Sequence, residues 1–198
     1  VEARVDGLES VAFTVTGTTP GAPARYLGRN GYVEYHPGTL PLVISAPHGG
    51  TIEPAEIPRR SGGTQVRDLG TDALAFALAD ALDARLGARP HLVVFHLHRR
   101  MLDANRDSVE ATEGQPLGRH AWLEFQGLID HARQQVAASY GRGFYIDLHG
   151  HGHEVQRLEL GFLLNAETLR LADEALDERA PDSSLRSLVE RASVPLSQ

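Results

Sequence analysis

Apolar positions along this chain fall into two rhythms, one of short unbroken runs and one of recurrences every three or four residues. Runs of the first kind are Leu40 to Ala46, His91 to Leu97, Phe144 to Leu148 and Leu158 to Leu164. Each has the length of a strand buried on both faces. Val11 to Thr16 alternates in the manner of an edge strand, and the Gly-, Thr- and Pro-rich residues 17–22 predict a loop after it. In the second rhythm, Leu74, Leu78 and Leu82 recur beside Ala77 and Ala81, behind Thr71 and Asp72 as a cap. This predicts an amphipathic helix that ends near Gly87. Trp122, Phe125, Ile129, Ala132 and Val136 predict a longer helix from about Arg119 to Tyr140, stopped by Gly141 and Gly143. Weaker helical patterns cover 166–179 and 183–192. Pro54, Pro58 and Gly62-Gly63 break residues 51–70 into a long loop, of the kind that serves sites in compact domains.

Strands alternating with helices imply an α/β fold, with a mixed, largely parallel sheet and helices on both faces. Neither a repeat nor a linker interrupts the pattern, and 198 residues suit a single domain over 1–198. In open sheets of this kind ligands gather beyond the carboxyl ends of the strands. Two strands here end in histidine, in Pro47-His48-Gly49-Gly50 and in Asp147-Leu148-His149-Gly150.

Composition narrows what those histidines can do. The chain has no cysteine, so a transition metal must be held by His, Asp and Glu. Its 41% hydrophobic and 23% charged residues are ordinary for a soluble globular protein. A net charge of −7 argues against nucleic acid as partner, since phosphate neutralisation needs clustered Lys and Arg. No run approaches the ~18 apolar residues of a membrane span. A chain opening on Val1 with no signal peptide reads as one trimmed at that end, with export and the cytoplasm both open as its compartment.

A catalytic zinc ion takes three ligands from His, Asp and Glu and leaves a place for water, whose pKa falls toward ~7. His48 and His149 supply two ligands if their strands are neighbours. For the acidic third, Glu53 is nearest in sequence and Asp68 is its substitute, with Glu56 and Asp72 in or just after the same loop. Asp147 stands two residues before His149, which turns it to the same face and suits it to orient the imidazole from behind. Arg99, Arg100 and Arg106 follow a third strand together with Asn105, and arginine grips a carboxylate with two parallel hydrogen bonds. His151 and His153 read as lining the mouth of the site. No serine nucleophile elbow is present.

Pro47-His48-Gly49-Gly50, Asp103-Ala104-Asn105-Arg106 and Asp147-Leu148-His149-Gly150 together resemble, in matching order, the N-formylglutamate amidohydrolase family. The similarity runs from about residue 40 to 165. It implies the three-layer α/β/α sandwich of the zinc carboxypeptidase-like, or phosphorylase/hydrolase-like, proteins. It also implies Zn2+ on His48 and His149, and hydrolysis of the amide in an N-acyl amino acid or short peptide by metal-activated water and a carboxylate base. Asn105 and Arg106 are similar to the pair that binds substrate carboxylate or polarises its carbonyl, with Arg100 as a second cationic contact.

Two positions depart from the pattern. In the carboxypeptidase relatives the acidic ligand sits three residues after the first His, where this chain has Thr51; Glu53 lies two further on, and Asp68 is the alternative. Their base lies well downstream of the last ligand. The resemblance therefore implies either a continuation past Gln198 or Glu159 as the local base. Rival readings are a metallocarboxypeptidase or peptidoglycan-peptide amidase, a metal-binding domain without catalysis that uses His149, His151 and His153, and a scaffold that has lost its base.

Overall fold

The apolar runs become strands wherever a neighbouring strand takes their backbone hydrogen bonds. The computed structural model describes residues 2–3, 11–12, 24–192 and 195. Where the hydrophobic pattern reads as one domain, the chain divides into two compact units, Val1–His151 and Gly152–Gln198.

In the first unit, β1 (Glu2–Ala3) and β2 (Val11–Ala12) form an antiparallel pair. The rest of the expected strand to Thr16 and the loop at 17–22 lie outside the described residues. The main sheet has five strands: β3 (Tyr26–Leu27), β4 (Val33–His36), β5 (Leu42–Ala46), β6 (His91–Phe95) and β7 (Phe144–Asp147). They lie in the order β3-β4-β6-β5-β7. β6, β5 and β7 run parallel, while β4 is antiparallel to both β6 and β3. The sheet is therefore mixed, with a parallel centre.

The parallel strands are joined by helices: α1 (Thr71–Leu86) follows β5, and α2 (Ser108–Thr112) and α3 (Pro116–Tyr140) lie between β6 and β7. Strand periodicity sorts the core into two clusters. Val43, Val93 and Phe95 pack with Phe125, Ile129, Ala132 and Val136 of α3. Ile44, Ala46, Leu92 and Val94 pack with Ala75 and Ala79 of α1.

α1 is turned by one position from its predicted stripe. Leu74 is exposed, and Ala75 and Ala79 face the sheet, flanked by Phe76, Leu78 and Leu82. Small alanines let the helix backbone approach the strands closely. Thr71 does not cap α1: Gly70 stands at the N-cap with φ 80, and Thr71 Oγ1 donates to the Asp68 carbonyl at 2.9 Å. α3 begins at Pro116, whose fixed φ suits a first helical turn. β4 escaped the hydrophobic pattern because Glu34 sits within it, nearly buried, held by His36 Nε2 at 2.7 Å, His96 Nε2 at 2.9 Å and Arg25 Nε at 3.0 Å.

The second unit holds short 3-10 turns at Thr168–Arg170 and Ala180–Asp182, with α4 (Asp173–Asp177) and α5 (Arg186–Ala192) between and after them. These replace the two longer helices expected. The strand expected over Leu158 to Leu164 is irregular, and Leu158, Leu160 and Leu163 are exposed. A strand exists only as part of a ladder, and no other strand is described in this unit. Among the described residues, no helix is long and apolar enough to cross a membrane.

Candidate metal centre

The parallel register brings the two histidines together. Ser45 of β5 is the pairing partner of Asp147 of β7, and Leu148 N–H continues the ladder by donating to the Ser45 carbonyl at 2.8 Å. His48 and His149 therefore leave the sheet side by side, with ring centroids 5.0 Å apart.

The loop after His48 is held down by backbone contacts. Ile52 N–H donates to the His96 carbonyl and His98 N–H to the Ile52 carbonyl, each at 2.9 Å. Gly50 is required there, because a Cβ would lie 2.3 Å from the His96 carbonyl carbon. The long loop then returns, and Asp68 N–H donates to the His48 carbonyl at 3.0 Å. That single bond carries a carboxylate twenty residues downstream to the first histidine.

Three atoms converge as a result. His48 Nδ1 is 3.2 Å from His149 Nδ1, His149 Nδ1 is 3.2 Å from Asp68 Oδ2, and His48 Nδ1 is 3.5 Å from that oxygen. Ligand atoms at zinc distances of ~2.0–2.1 Å in a tetrahedron lie ~3.3–3.4 Å apart, so the triangle has the right edges for one ion. His48 and Asp68 are buried, while His149 is 37% exposed and leaves the centre open on its side.

Carboxylates stand behind both imidazoles. Asp103 Oδ1 lies 2.7 Å from His48 Nε2, and Asp147 Oδ2 lies 2.8 Å from His149 Nε2. A carboxylate there keeps the ring proton on Nε2, leaving the Nδ1 lone pair free to ligate. With both rings so oriented, two lone pairs and a carboxylate oxygen face one another, an arrangement that calls for a proton or a cation between them. In the protein without metal a proton serves: bonds to Asp147 and to Asp68, against burial, push the His149 imidazole up to about 9.

Burial alone would raise the Asp68 carboxyl. The polar contacts with His149 and His48 and the hydrogen bond from Gly150 N–H outweigh it and hold Asp68 well below the usual carboxylate range. Asp103 is likewise buried and likewise held low, by His48 and by Arg99. Arg99 bridges the two carboxylates, with Nε donating to Asp103 Oδ2 at 3.0 Å and a terminal nitrogen to Asp68 Oδ1 at 3.3 Å. Arg60, itself buried, brings a terminal nitrogen to 3.8 Å from Asp103. Behind Asp147, the Ser45 hydroxyl donates to Oδ1 and lies 2.7 Å from the Tyr145 hydroxyl.

The structure brings some predicted site residues to this centre and leaves others apart. Asp68 joins the histidines, whereas Glu53 pairs with Arg59 at 3.0 Å and Arg100 at 3.6 Å. Asn105 reaches the centre, its amide 3.1 Å from His149 Nε2. Arg106 is half-exposed and 3.5 Å from Glu110, and Arg100 is turned toward Glu53. Glu159 belongs to the second unit, where His153 Nδ1 and Arg157 Nε each lie 2.9 Å from its Oε1.

Asp103, Arg60 and Ser45 were not among the predicted site residues, and Arg99, expected with its neighbours to grip a substrate carboxylate, holds Asp103 and Asp68 instead. Asp103 lay within a motif already singled out, but its partner His48 is 55 residues away and no local pattern joins them. Ser45 had a usable signal, a polar residue inside an otherwise apolar buried strand. Comparison with protein-family models, with curated proteins and with solved structures finds no match.

Proposed function

We propose that the chain is a zinc-dependent hydrolase of amide bonds acting on an N-acyl amino acid or short peptide, with His48, Asp68 and His149 as the metal ligands. One observation carries the reading: three ligand atoms stand at the mutual spacing of a tetrahedral site, and each imidazole has its far nitrogen on a carboxylate. Acidic side chains often cluster without an ion, but carboxylate-backed histidines converging through their other nitrogens are the dress of a metal site. The fold suits the same reading, as a mixed sheet between α1 and α3 is the core of the three-layer zinc carboxypeptidase-like sandwich that the three motifs resemble.

Zinc in such a site supplies Lewis-acid chemistry, polarising a carbonyl and making water acidic. The chain's own residues do the rest. Asp103 and Asp147 hold the Nε2 side of each imidazole and so turn Nδ1 toward the centre, and Arg99 aims one Asp68 oxygen at the histidines by holding the other. Asn105 stands at the exposed side beside His149, placed to hydrogen-bond a substrate amide or carboxylate, with Arg106 one residue on. Asp103 and Asp147 are both committed to histidine, so proton transfer needs another carboxylate. Asp72, packed against Gly49 in the first turn of α1 with no hydrogen-bond partner among the described residues, is available for it.

The test is metal analysis joined to hydrolysis of N-formyl and N-acetyl amino acids. One zinc per chain and turnover of at least one substrate are expected, with Asp68→Asn losing both and Asp72→Asn losing turnover alone. A zinc content unchanged in Asp68→Asn and His149→Ala would overturn the ligand set. The commitment of Asp103 and Asp147 to histidine favours one second reading, a metal-binding domain without catalysis. Full zinc loading with no turnover across the panel would select it.

A further inference from the structure

The metal centre lies beyond the carboxyl ends of the strands, but the opposite end of β6 opens on a cavity of ≈ 640 Å³ between the β3–β4 hairpin and α3. Tyr26, Tyr35, His91, His131, Gln135 and Tyr140 supply most of its chemistry. Its volume is that of sites that bind small molecules, and one wall is closely packed. Gly38 presses so closely on the chain before His91 that a Cβ would lie 2.2 Å from the Pro90 carbonyl carbon. Thr39 N–H donates to the Arg89 carbonyl at 2.8 Å, and the Tyr140 hydroxyl donates to the Thr39 carbonyl.

His91 carries the chemical signal. The ring is buried, and the Tyr35 hydroxyl lies 2.8 Å from its Nδ1. Burial pushes the Tyr35 phenol up to about 12, so the hydroxyl keeps its proton and donates it. Burial first, then the charge of nearby His131, lowers the imidazole, which is therefore neutral and carries its one proton on Nε2. That N–H has no hydrogen-bond partner among the described residues. It is not sealed in the interior, where among the described residues Arg60 Nε is the one side-chain atom left without a partner, but is open to the cavity that His91 lines. Around it the surfaces are aromatic: Tyr26 and Tyr35 stack at 6.0 Å, and His131 meets Tyr35 edge-on at 5.9 Å. No Asp, Glu, Lys or Arg lines the space.

We infer that this cavity is a second binding site, for a neutral heteroaromatic molecule of nucleoside size, whose ring stacks on Tyr26 while a ring acceptor takes the His91 Nε2 proton. A flat ring suits the tyrosine faces, and an acceptor satisfies the donor that the protein leaves unpaired. Gln135 and the Ser139 hydroxyl on α3 are positioned for polar substituents such as sugar hydroxyls. A fully charged ligand would find no counter-ion and would lose its hydration without return.

Adenosine and uridine, each beside its own 5′-monophosphate, are the probes, titrated calorimetrically into the full chain. At least one nucleoside binds with a Kd below about 1 mM, and its monophosphate binds at least about tenfold more weakly. Tyr26→Ala, at an exposed position, and His91→Phe, which keeps the bulk and removes the donor, each weaken the nucleoside about tenfold and leave zinc content unchanged. The inference is overturned if neither nucleoside binds in that range, if the monophosphate binds as tightly, or if either variant binds like the parent. Circular dichroism identifies a variant that has failed to fold, and Tyr26→Ala then decides alone.

Discussion

Asp103→Asn is the sharpest perturbation of the metal centre, because it changes one charge and almost no volume at a residue 1% exposed. The carboxylate accepts from His48 Nε2 at 2.7 Å and from Arg99 Nε at 3.0 Å, with Arg60 at 3.8 Å. An asparagine can still accept from His48 through its oxygen, but its amide then turns two N–H groups toward the N–H of Arg99. Two consequences follow. The guanidinium loses the partner that lets it hold Asp68, and the His48 ring loses the anion that fixes its tautomer and orientation as a ligand. Removing such a partner from a ligating histidine costs about 10–100-fold in metal affinity, and leaving buried charge without its counter-ion costs about 3–5 kcal/mol of stability. Arg99 is 14% exposed and can reorganise toward water, so the lower end of the stability range applies. Zinc affinity measured by competition with a chelating dye, and urea unfolding of the metal-free protein, read the two effects separately. A variant that binds zinc within about twofold of the parent would show that Asp103 does not act on the ligand, and the reasoning about both imidazoles would fail with it.

Asp68→Asn abolishes stoichiometric zinc binding while Glu53→Gln retains it, as metal analysis of the two proteins side by side will show. Ser45→Ala removes the hydroxyl that ties Asp147 to Tyr145 and lowers stability by about 1–3 kcal/mol, read from the urea midpoint. Gly50→Ala drives a Cβ into the His96 backbone, costing about 1–3 kcal/mol together with zinc affinity, since the His48 loop must lift. Burial keeps His91 neutral in the fold, so the unfolded chain takes up a proton that the folded one refuses. Its contribution to stability is complete above the unfolded pKa of ~6.5 and is lost as pH falls below it toward the lowered folded value. The fall in urea midpoint between about pH 8 and about pH 5.5 is therefore shallower in His91→Asn, and an identical slope in both proteins would refute the assignment.

Much of the first unit was legible in advance because its signals are local. β5, β6 and β7 announce themselves as apolar runs, and the two long helices as three-and-four periodicities ended by glycine. The pairing of β5 with β7, which unites His48 and His149, was a condition that the metal reading required and the sequence left open; the sheet register supplies it. What escaped depended on partners far along the chain. Glu34 disguised β4 until His36 and His96 were seen around it, and Asp103 gave no sign of His48. Sequence distance favoured Glu53 as third ligand, yet a loop closes by its backbone bonds, and the Asp68 N–H to His48 carbonyl bond sets the choice of carboxylate. The Leu158 to Leu164 run misleads for the converse reason: apolar content marks a segment fit for a ladder but does not provide the adjoining strand.

β7 pairs only with β5 among the described residues, and Phe144 and Tyr145 are half-exposed along it. It is therefore an edge strand open to fraying, and it ends at Asp147 and leads directly into His149. An ion gripped between His149 and the interior pair His48 and Asp68 would act as a clasp across that margin. Ion affinity and the local opening of β7 would then be two measures of a single equilibrium, so that anything securing the margin tightens the ion and anything peeling it away lets the ion go.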